Sequence, residues 1–402
     1  MKLEKIPQEY QTALPILKRI EEAGYEAYFV GGSVRDTLLH QAIHDVDIAT
    51  SAFPAEIKEI FPRTIDVGIE HGTVLVLDEE ERYEITTFRT ESTYQDFRRP
   101  DHVKFVRSLE EDLKRRDFTI NAFALKENGE IIDLFNGLAD LEHKILRAVG
   151  DPHERFHEDA LRMMRGLRFV SQLGFELESE TFESIQENHE LLEKISVERI
   201  TIEFVKLLLG KFRNQGLEMF IKTNCYRYCP NLNEHKNGIE RFINLTDKQI
   251  YKEIHAWVLL IDSLDLKSME IRPFLKSWKC SNELIRTVQA VFEGLQARKS
   301  AFFSSQDLYN LGEDNALLVE ELLPYFNLKA NCEKVKKDYQ ALVIHSLHDL
   351  AIDGHDLIQF FDKNPGKWLK DTLSACEKKV IDREVENQKE TLLSYAKSFL
   401  AQ

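Results

Sequence analysis

Gly31-Gly32-Ser33-Val34-Arg35-Asp36, followed closely by Asp45-Val46-Asp47, is the stretch that decides how this chain is read. It leaves a strand-like run, Tyr28-Phe29-Val30, and opens a helical one. A Gly-Gly turn at a helix start presents free backbone N–H groups and the positive end of a dipole, so it suits an anion, and Arg35 adds a planar cation. Such turns are common and alone decide little. The aspartates add weight. Residues i and i+2 of a strand share a face, which would set Asp45 and Asp47 side by side with Cα atoms roughly 6–7 Å apart. Asp is disfavoured in strands, and like charges on one face repel. A divalent cation offsets that cost, and a pair of carboxylates can clamp two metal ions. The bland alternative is an exposed edge strand with solvated acids; the glycine turn upstream favours a metal–nucleotide site. Glu84, in Tyr83-Glu84-Ile85-Thr86-Thr87-Phe88, is an acid out of place in a strand-like run. It is a candidate third carboxylate, or an outward-facing residue.

Working outward, short apolar runs bounded by Gly, Asp or Asn predict strands at 27–30, 46–49, 74–77, 83–88, 122–125 and 131–134, with helices at 12–23, 34–40 and 55–60. After Gly150 the pattern becomes helical. Phe156, Ala160, Met163, Leu167 and Val170 recur at three or four residues along one predicted helix. Helical patterns also cover 198–209, 252–264, 282–295, 315–323 and 380–400. The fold class expected is α+β: a mixed domain of about 150 residues, then a long all-helical region.

The chain has 402 residues and a formal charge of −16, with 43% hydrophobic and 30% charged residues, which excludes disorder or a disulfide scaffold for the whole. Nothing approaches the roughly 20 apolar residues of a membrane span. The charged segment Met1–Tyr10 has no apolar signal core, and the odd count of five cysteines fits a reducing compartment, so a cytoplasmic protein is expected. The acidic balance argues weakly against nucleic-acid binding, but local charge decides that question.

Two arginine-rich segments follow. Arg115-Arg116-Asp117-Phe118-Thr119-Ile120-Asn121-Ala122 places two guanidiniums before an apolar run, suited to phosphate; Asp117 and Asn121 could bond a ribose or orient the arginines. A solvated basic turn is the plainer reading of an isolated Arg-Arg pair. In Glu158-Asp159-Ala160-Leu161-Arg162-Met163-Met164-Arg165-Gly166-Leu167-Arg168, steps of three set Asp159 and Arg162 as an i,i+3 pair, with Arg165 and Arg168 beyond. Acceptors and donors side by side could read the edge of a base; an exposed ion pair worth little is the alternative. The polar stretch 89–107, broken by Pro100, reads as a loop leading into a strand at 103–106, of the kind that closes over substrates.

Taken together, these three motifs resemble, in their order along the chain, those of the class II tRNA nucleotidyltransferases, specifically the CCA-adding enzymes of Gram-positive bacteria. The resemblance covers essentially the whole chain. It implies a polymerase β-like palm at 1–148, a helical neck at 149–212 carrying the base-selecting residues, a helical body at 213–300 and a tRNA-binding tail at 301–402. Asp45 and Asp47 would bind catalytic Mg²⁺ and activate the primer hydroxyl. Gly32, Arg35 and Arg116 would contact the incoming nucleotide, with Asp117 associated with its ribose. Asp159 and Arg162 would pair with the base of CTP and then ATP, and Arg165 and Arg168 would complete the pocket. Asp133 to Asp140 resembles a motif coupling head and neck, and Glu198-Arg199-Ile200 with Glu203 one that stabilises the helix behind the pocket. Partners would be tRNA, at its acceptor end and elbow, with CTP and ATP; a homodimer is compatible. Tail lysines such as Lys334, Lys336, Lys337, Lys363, Lys367 and Lys370 are candidate tRNA contacts. His40-Gln41-Ala42 departs from a Gly-Arg-Pro-like turn common in the family, at no catalytic position.

Rival readings are weighed by the same residues. A bacterial poly(A) polymerase shares the head but usually carries a basic extension. An A-adding relative typically has a shortened 89–107 loop, here full length. The pairs His348-Asp349 and His355-Asp356 suggest a metal-dependent phosphohydrolase, but its ligands would have to come from several helices. A non-catalytic RNA binder has no use for concentrated negative charge at Asp45 and Asp47. Cys225 and Cys229 lack the second pair a zinc site needs.

Overall fold

The computed structural model describes residues 1–43, 45–78, 81–91 and 103–401. The chain forms two compact units, Met1–Lys236 and Asn237–Gln402.

The first unit is built on a seven-stranded mixed sheet. Its strands are β1 (Ala27–Val30), β2 (Asp47–Thr50), β3 (Thr64–Gly68), β4 (Thr73–Asp78), β5 (Glu81–Thr87), then, after a separate ribbon of β6 (Arg89–Glu91) and β7 (Val103–Phe105), β8 (Phe123–Leu125) and β9 (Ile131–Asp133). The order is β3-β4-β5-β2-β1-β8-β9. All neighbours are antiparallel except β2 and β5, which run parallel with Ile48 opposite Ile85 and Thr50 opposite Thr87. Helices α1 (Gln8–Gln11), α2 (Leu14–Glu22), α3 (Gly32–Leu38) and α4 (Pro54–Ile60) precede α5 (Leu109–Lys114) and α6 (Gly137–His143). One face of the sheet carries the main core, where Tyr10, Ile16, Leu17 and Ile20 meet Phe29, Ile48, Val74 and Ile85. The opposite face has a smaller cluster of Val30, Ala49, Phe88, Leu113 and Ala124. Alternation along β5 produces this division: Tyr83, Ile85 and Thr87 are buried while Glu84 is exposed.

A short parallel pair, β10 (Ile145–Leu146) with β11 (Glu176–Leu177), leads into the helices α7 (Pro152–Glu158), α8 (Leu161–Leu173), α9 (Ser179–Asn188), α10 (Val197–Leu208) and α11 (Arg213–Lys222). The sheet and these helices share a core, since Phe169, Val170 and Phe175 join the cluster around Phe29.

The second unit is helical among its described residues: α12 (Lys236–Leu245), α13 (Glu253–Ser263), α14 (Ser268–Ser277), α15 (Asn282–Ser300), α16 (Ser305–Leu322), α17 (Cys332–Gln340), α18 (Gly354–Phe361), α19 (Lys367–Ile381) and α20 (Lys389–Leu400). Trp257 and Trp278 pack edge to face at 5.4 Å, and Arg298 meets the fully buried Glu320 at 2.5 Å. No helix of the described residues is long and apolar enough to cross a membrane.

The α+β class and the change to helix near Gly150 hold. Three local expectations do not. The strand expected from 46 begins at Asp47, and Asp45 lies before it; β1 ends at Val30, opposite Asp47, so nothing extends the ladder to Asp45. The helix expected through 156–170 breaks at Asp159, whose backbone is extended (φ −141°, ψ 101°). The pattern at 380–400 is two helices, separated where Arg383 takes a left-handed conformation (φ 58°). Strand β3 went unread because Ile65, Asp66 and Val67 are all exposed on the sheet edge, so no buried face marks it.

Candidate active site

A cavity of about 450 Å³ opens where the strand ends of the sheet meet α8. Gly31, Gly32, Arg35 and Asp47 line it from the sheet side. Arg115, Arg116, Asp117 and Asn121 line it from the segment after α5, and Asp159, Arg162, Arg165, Arg168 and Phe169 from the helical side. Of the eleven predicted site residues, only Asp45 and Glu84 are not in its lining. Arg115 and Asn121, read in the sequence only as parts of the arginine motif, also line it, and Phe169 is a lining residue that sequence reasoning missed.

The turn at its base has a specific need for glycine. Gly31 adopts φ 77°, ψ −141°, and a Cβ there would stand 3.2 Å from Nη1 of Arg116 and 3.7 Å from Oδ2 of Asp47. The backbone thus passes close between an arginine and a carboxylate.

Asp47 begins β2, and the parallel register with β5 carries Glu84 alongside it, one residue before the Ile48–Ile85 pair. Adjacent, same-parity positions of neighbouring strands share a face, so the register, not the i,i+2 spacing, is what sets two acids together. Asp47 is solvent-accessible, yet protein atoms crowd its carboxyl and push its pKa up; Arg116 opposes this, and Glu84 and Asp45 add to it. Three acids therefore act on one another electrostatically. They are not drawn into a closed cage: among the described residues no three His, Cys, Asp or Glu side chains are gathered as metal ligands. A hard, oxygen-only donor set with a congested carboxylate fits a divalent cation that brings its own water and phosphate ligands.

The helical wall is built differently. Asp117 is buried and accepts from the Phe118 N–H (2.8 Å), Asn121 Nδ2 (3.0 Å) and Arg165 Nε and Nη2 (2.8 and 2.5 Å). Burial pushes its pKa up, but Arg165 and the amide outweigh it and hold the carboxyl well below the usual range. Asn121 also accepts from Arg35 Nη1 at 2.6 Å, which links Arg35 to Asp117. Arg168 is held by Glu203 Oε2 (2.5 Å) and Gln172 (2.6 Å). The guanidiniums of Arg35, Arg165 and Arg168 all approach the ring of Phe169, at 5.1, 5.7 and 3.9 Å from its centroid. Phe169 in turn stands edge-on to Phe118, 5.7 Å away.

Asp159 and Arg162 do not form the expected i,i+3 pair. Asp159 accepts from the Leu161 N–H (3.0 Å), the first of α8, and from Arg199 at 2.6 Å. Arg162 donates to Glu158 (2.7 Å) and to the carbonyls of Arg115 (2.8 Å) and Arg155 (3.4 Å). Each is held by neighbours at the break between α7 and α8, and both reach the same cavity.

The loop expected at 89–107 falls largely on residues outside those described. Its ends, β6 and β7, pair antiparallel, with Arg89 opposite Phe105. The His-Asp pairs of the second unit are capping residues. Asp349 accepts from the His345 and Ser346 N–H groups, and Asp356 from the Asp353 N–H and Lys389. The five cysteines form no disulfide.

Comparisons with known proteins agree with this arrangement. A family described as the poly A polymerase head domain matches residues 27–147, "Probable RNA and SrmB- binding site of polymerase A" matches 174–236, and tRNA nucleotidyltransferase domain 2 matches 248–396. Fold and site define a nucleotidyltransferase with a polymerase β-like head, a class that depends on divalent metal. The CCA-adding enzyme of Enterococcus faecalis is 59% identical over 99% of this chain and 98% of its own, and that of Ligilactobacillus salivarius 50% over 100% and 99%. The solved Bacillus stearothermophilus CCA-adding enzyme in complex with CTP matches with a TM-score of 0.90 at 40% identity, covering 98% of each chain. This chain belongs to the CCA-adding enzyme family of tRNA nucleotidyltransferases.

Proposed function

We propose that the chain adds and repairs the 3′-terminal CCA of tRNA from CTP and ATP, with no nucleic-acid template and with release of pyrophosphate. The observation that carries this reading is one cavity that holds Asp47, five arginines suited to phosphate and ribose, and the Asp159–Arg162 corner. Asp45 and Asp47 would hold Mg²⁺, with Glu84 beside them. Bound there, the ion would lower the pKa of the tRNA 3′-hydroxyl and neutralise charge developing at the α-phosphate.

The chain's own residues supply the positioning. Arg116 and Arg35 hold the triphosphate, and the small Gly31–Gly32 turn lets it approach the backbone. Asp117 fixes Arg165 and, through Asn121, Arg35. Asp159 offers acceptors and Arg162 donors to the base edge, and Arg168 closes the wall. Such pre-set dipoles and charges need no rearrangement as the bond forms. The head at 1–148, neck at 149–212, body at 213–300 and tail at 301–402 are the corresponding division of labour, with the tRNA elbow on the tail and the protein working in the cytoplasm.

The test is direct. Purified protein is incubated with Mg²⁺, CTP, ATP and a tRNA transcript lacking its last three nucleotides, and the 3′ ends are sequenced. Ends of CCA are expected. An A tail would favour poly(A) synthesis, and extension only from a transcript ending in CC an A-adding enzyme. No incorporation would defeat the reading and bring forward a non-catalytic RNA binder. The solution mass of the same preparation distinguishes a homodimer from a monomer.

A further inference from the structure

Helix α5 opens with three acids in its first turn, Glu110, Glu111 and Asp112, behind the N-cap Ser108. In sequence they look alike, a charged and solvated helix start. In the fold they differ sharply. Glu110 and Glu111 are exposed, whereas Asp112 is 1% exposed. A carboxylate that deep is tolerated only when donors surround it.

Three donors do so. Oδ1 of Asp112 accepts from Arg115 Nε (3.0 Å) and Nη2 (2.8 Å) and from the backbone N–H of Arg89 (3.3 Å). Oδ2 accepts from Arg116 Nη2 at 3.2 Å. The spacing is what a helix end provides: Arg115 and Arg116 lie three and four residues beyond Asp112, both within reach of one side chain. Arg116 has few other restraints. Asp112 is its only salt bridge among the described residues, its Nη1 reaches the Asn121 carbonyl at a long 3.4 Å, and its buried Nε has no hydrogen-bond partner. Yet Arg116 stands against both Gly31 and Asp47, where the nucleotide phosphates meet the carboxylates. A long, entropically costly side chain is thus fixed at the reactive end of the cavity by one buried carboxylate.

We propose that Asp112 is a positioning residue for nucleotide binding, acting through Arg116, which it holds against the phosphates of CTP and ATP. It lines no part of the cavity and touches no substrate. Its contact with the Arg89 N–H also ties the start of the β6–β7 ribbon to the same carboxylate. The inference rests on the reading of Arg116 as a phosphate ligand given above.

The experiment is a double-mutant cycle in the full-length enzyme, using Asp112→Asn, Arg116→Gln and their combination. Steady-state CCA addition gives KM for CTP and ATP and kcat, and filter binding gives the affinity for tRNA. Asp112→Asn keeps the shape and loses the charge. It is expected to raise KM for both nucleotides about tenfold, as loss of a charge-assisted bond does, with kcat reduced less and tRNA affinity unchanged. In the Arg116→Gln background the same change should add less than about twofold, because its target is gone. A wild-type KM for Asp112→Asn overturns the proposal, and so does a full tenfold effect persisting without Arg116. Should Asp112→Asn fail to fold, Asp112→Glu keeps the charge but moves it by one methylene, and an unaltered nucleotide KM there is equally fatal. Arg116→Gln separates the two levels: if it alone leaves KM unchanged, the reading of the site fails; if it raises KM while Asp112→Asn does not, only the present inference does.

Discussion

Two groups of carboxylates lie in and around the cavity, and the fold treats them oppositely. Asp45, Asp47 and Glu84, on the sheet side, carry no salt bridge among the described residues, and Glu84 and Asp45 repel the charge on Asp47. Asp112, Asp117, Asp159 and Glu203, on the helical side, each grip at least one arginine. The first group is charge that no ion pair holds, with only the field of Arg116 set against the repulsion at Asp47, and the second is charge spent on architecture. On the proposed reading, a new cation goes to the acids whose lone pairs the protein has not already used.

Substitutions sharpen this contrast from the largest effect downward. Asp47→Asn should lower nucleotide transfer by on the order of a thousandfold or more, since metal-assisted charge stabilisation is worth several kcal/mol. Its thermal midpoint should stay level or rise, because crowding by protein atoms, with the repulsion from Glu84 and Asp45, outweighs the attraction of Arg116 for the charged carboxyl; a drop of several degrees would place Asp47 with the architectural acids. Asp117→Ala should do the reverse in kind. It removes the main partner of Arg165, and unfolding by denaturant should show a loss of about 2 kcal/mol, below the usual cost of breaking a buried pair because Arg165 keeps Glu203 at 3.6 Å and some contact with solvent. An unchanged midpoint would show that pair to be idle.

Gly31→Ala probes the seam between the two groups. The left-handed backbone and the approach to Arg116 predict a cost of about 1–2 kcal/mol in stability, read from the thermal transition, together with a higher nucleotide KM. The smallest effect concerns pH. The Asp117 carboxyl is depressed in the folded chain, so its contribution is present above its unfolded pKa of about 3.9 and is lost as pH falls. Between pH 5 and pH 4 the loss is only about 0.3 kcal/mol, growing below that. Denaturation midpoints of the parent and of Asp117→Asn should therefore converge as the solution is acidified; divergence would reverse the sign of the argument.

Much of this was legible in the sequence, for reasons that differ by residue. The glycine turn and the arginine motifs could be read because they stand next to strong strand and helix patterns, and the cavity gathers them where those elements meet. The pairing of Asp159 with Arg162 was misread because periodicity does not report a one-residue break, and here bonds from the Leu161 N–H and Arg199 engage the aspartate instead. Glu84 could be suspected but not placed: only the β2–β5 register puts it beside Asp47. Asp112 was invisible, since nothing in Glu110-Glu111-Asp112 says which acid turns inward. Phe169 belongs to the core, and that three guanidiniums approach its ring depends on tertiary packing alone.

The parallel pairing of β2 with β5 also sets an order of assembly. After Thr50 the chain must run through α4 and the β3–β4 hairpin before β5 can return to lie beside β2, so Ile48 meets Ile85 only after a long excursion is closed. Contacts of that separation form late, whereas α2 and the hairpin need only near neighbours. During refolding, helical signal should thus recover ahead of catalysis, and the corner where Asp47 meets Glu84 should be among the last places to become native. During synthesis, Asp47 leaves the ribosome well before Glu84, and α8 later still. On the proposed reading of the site, the chain should therefore stay inert until α8 has emerged, and a shortened product that stops before α8 should bind no nucleotide.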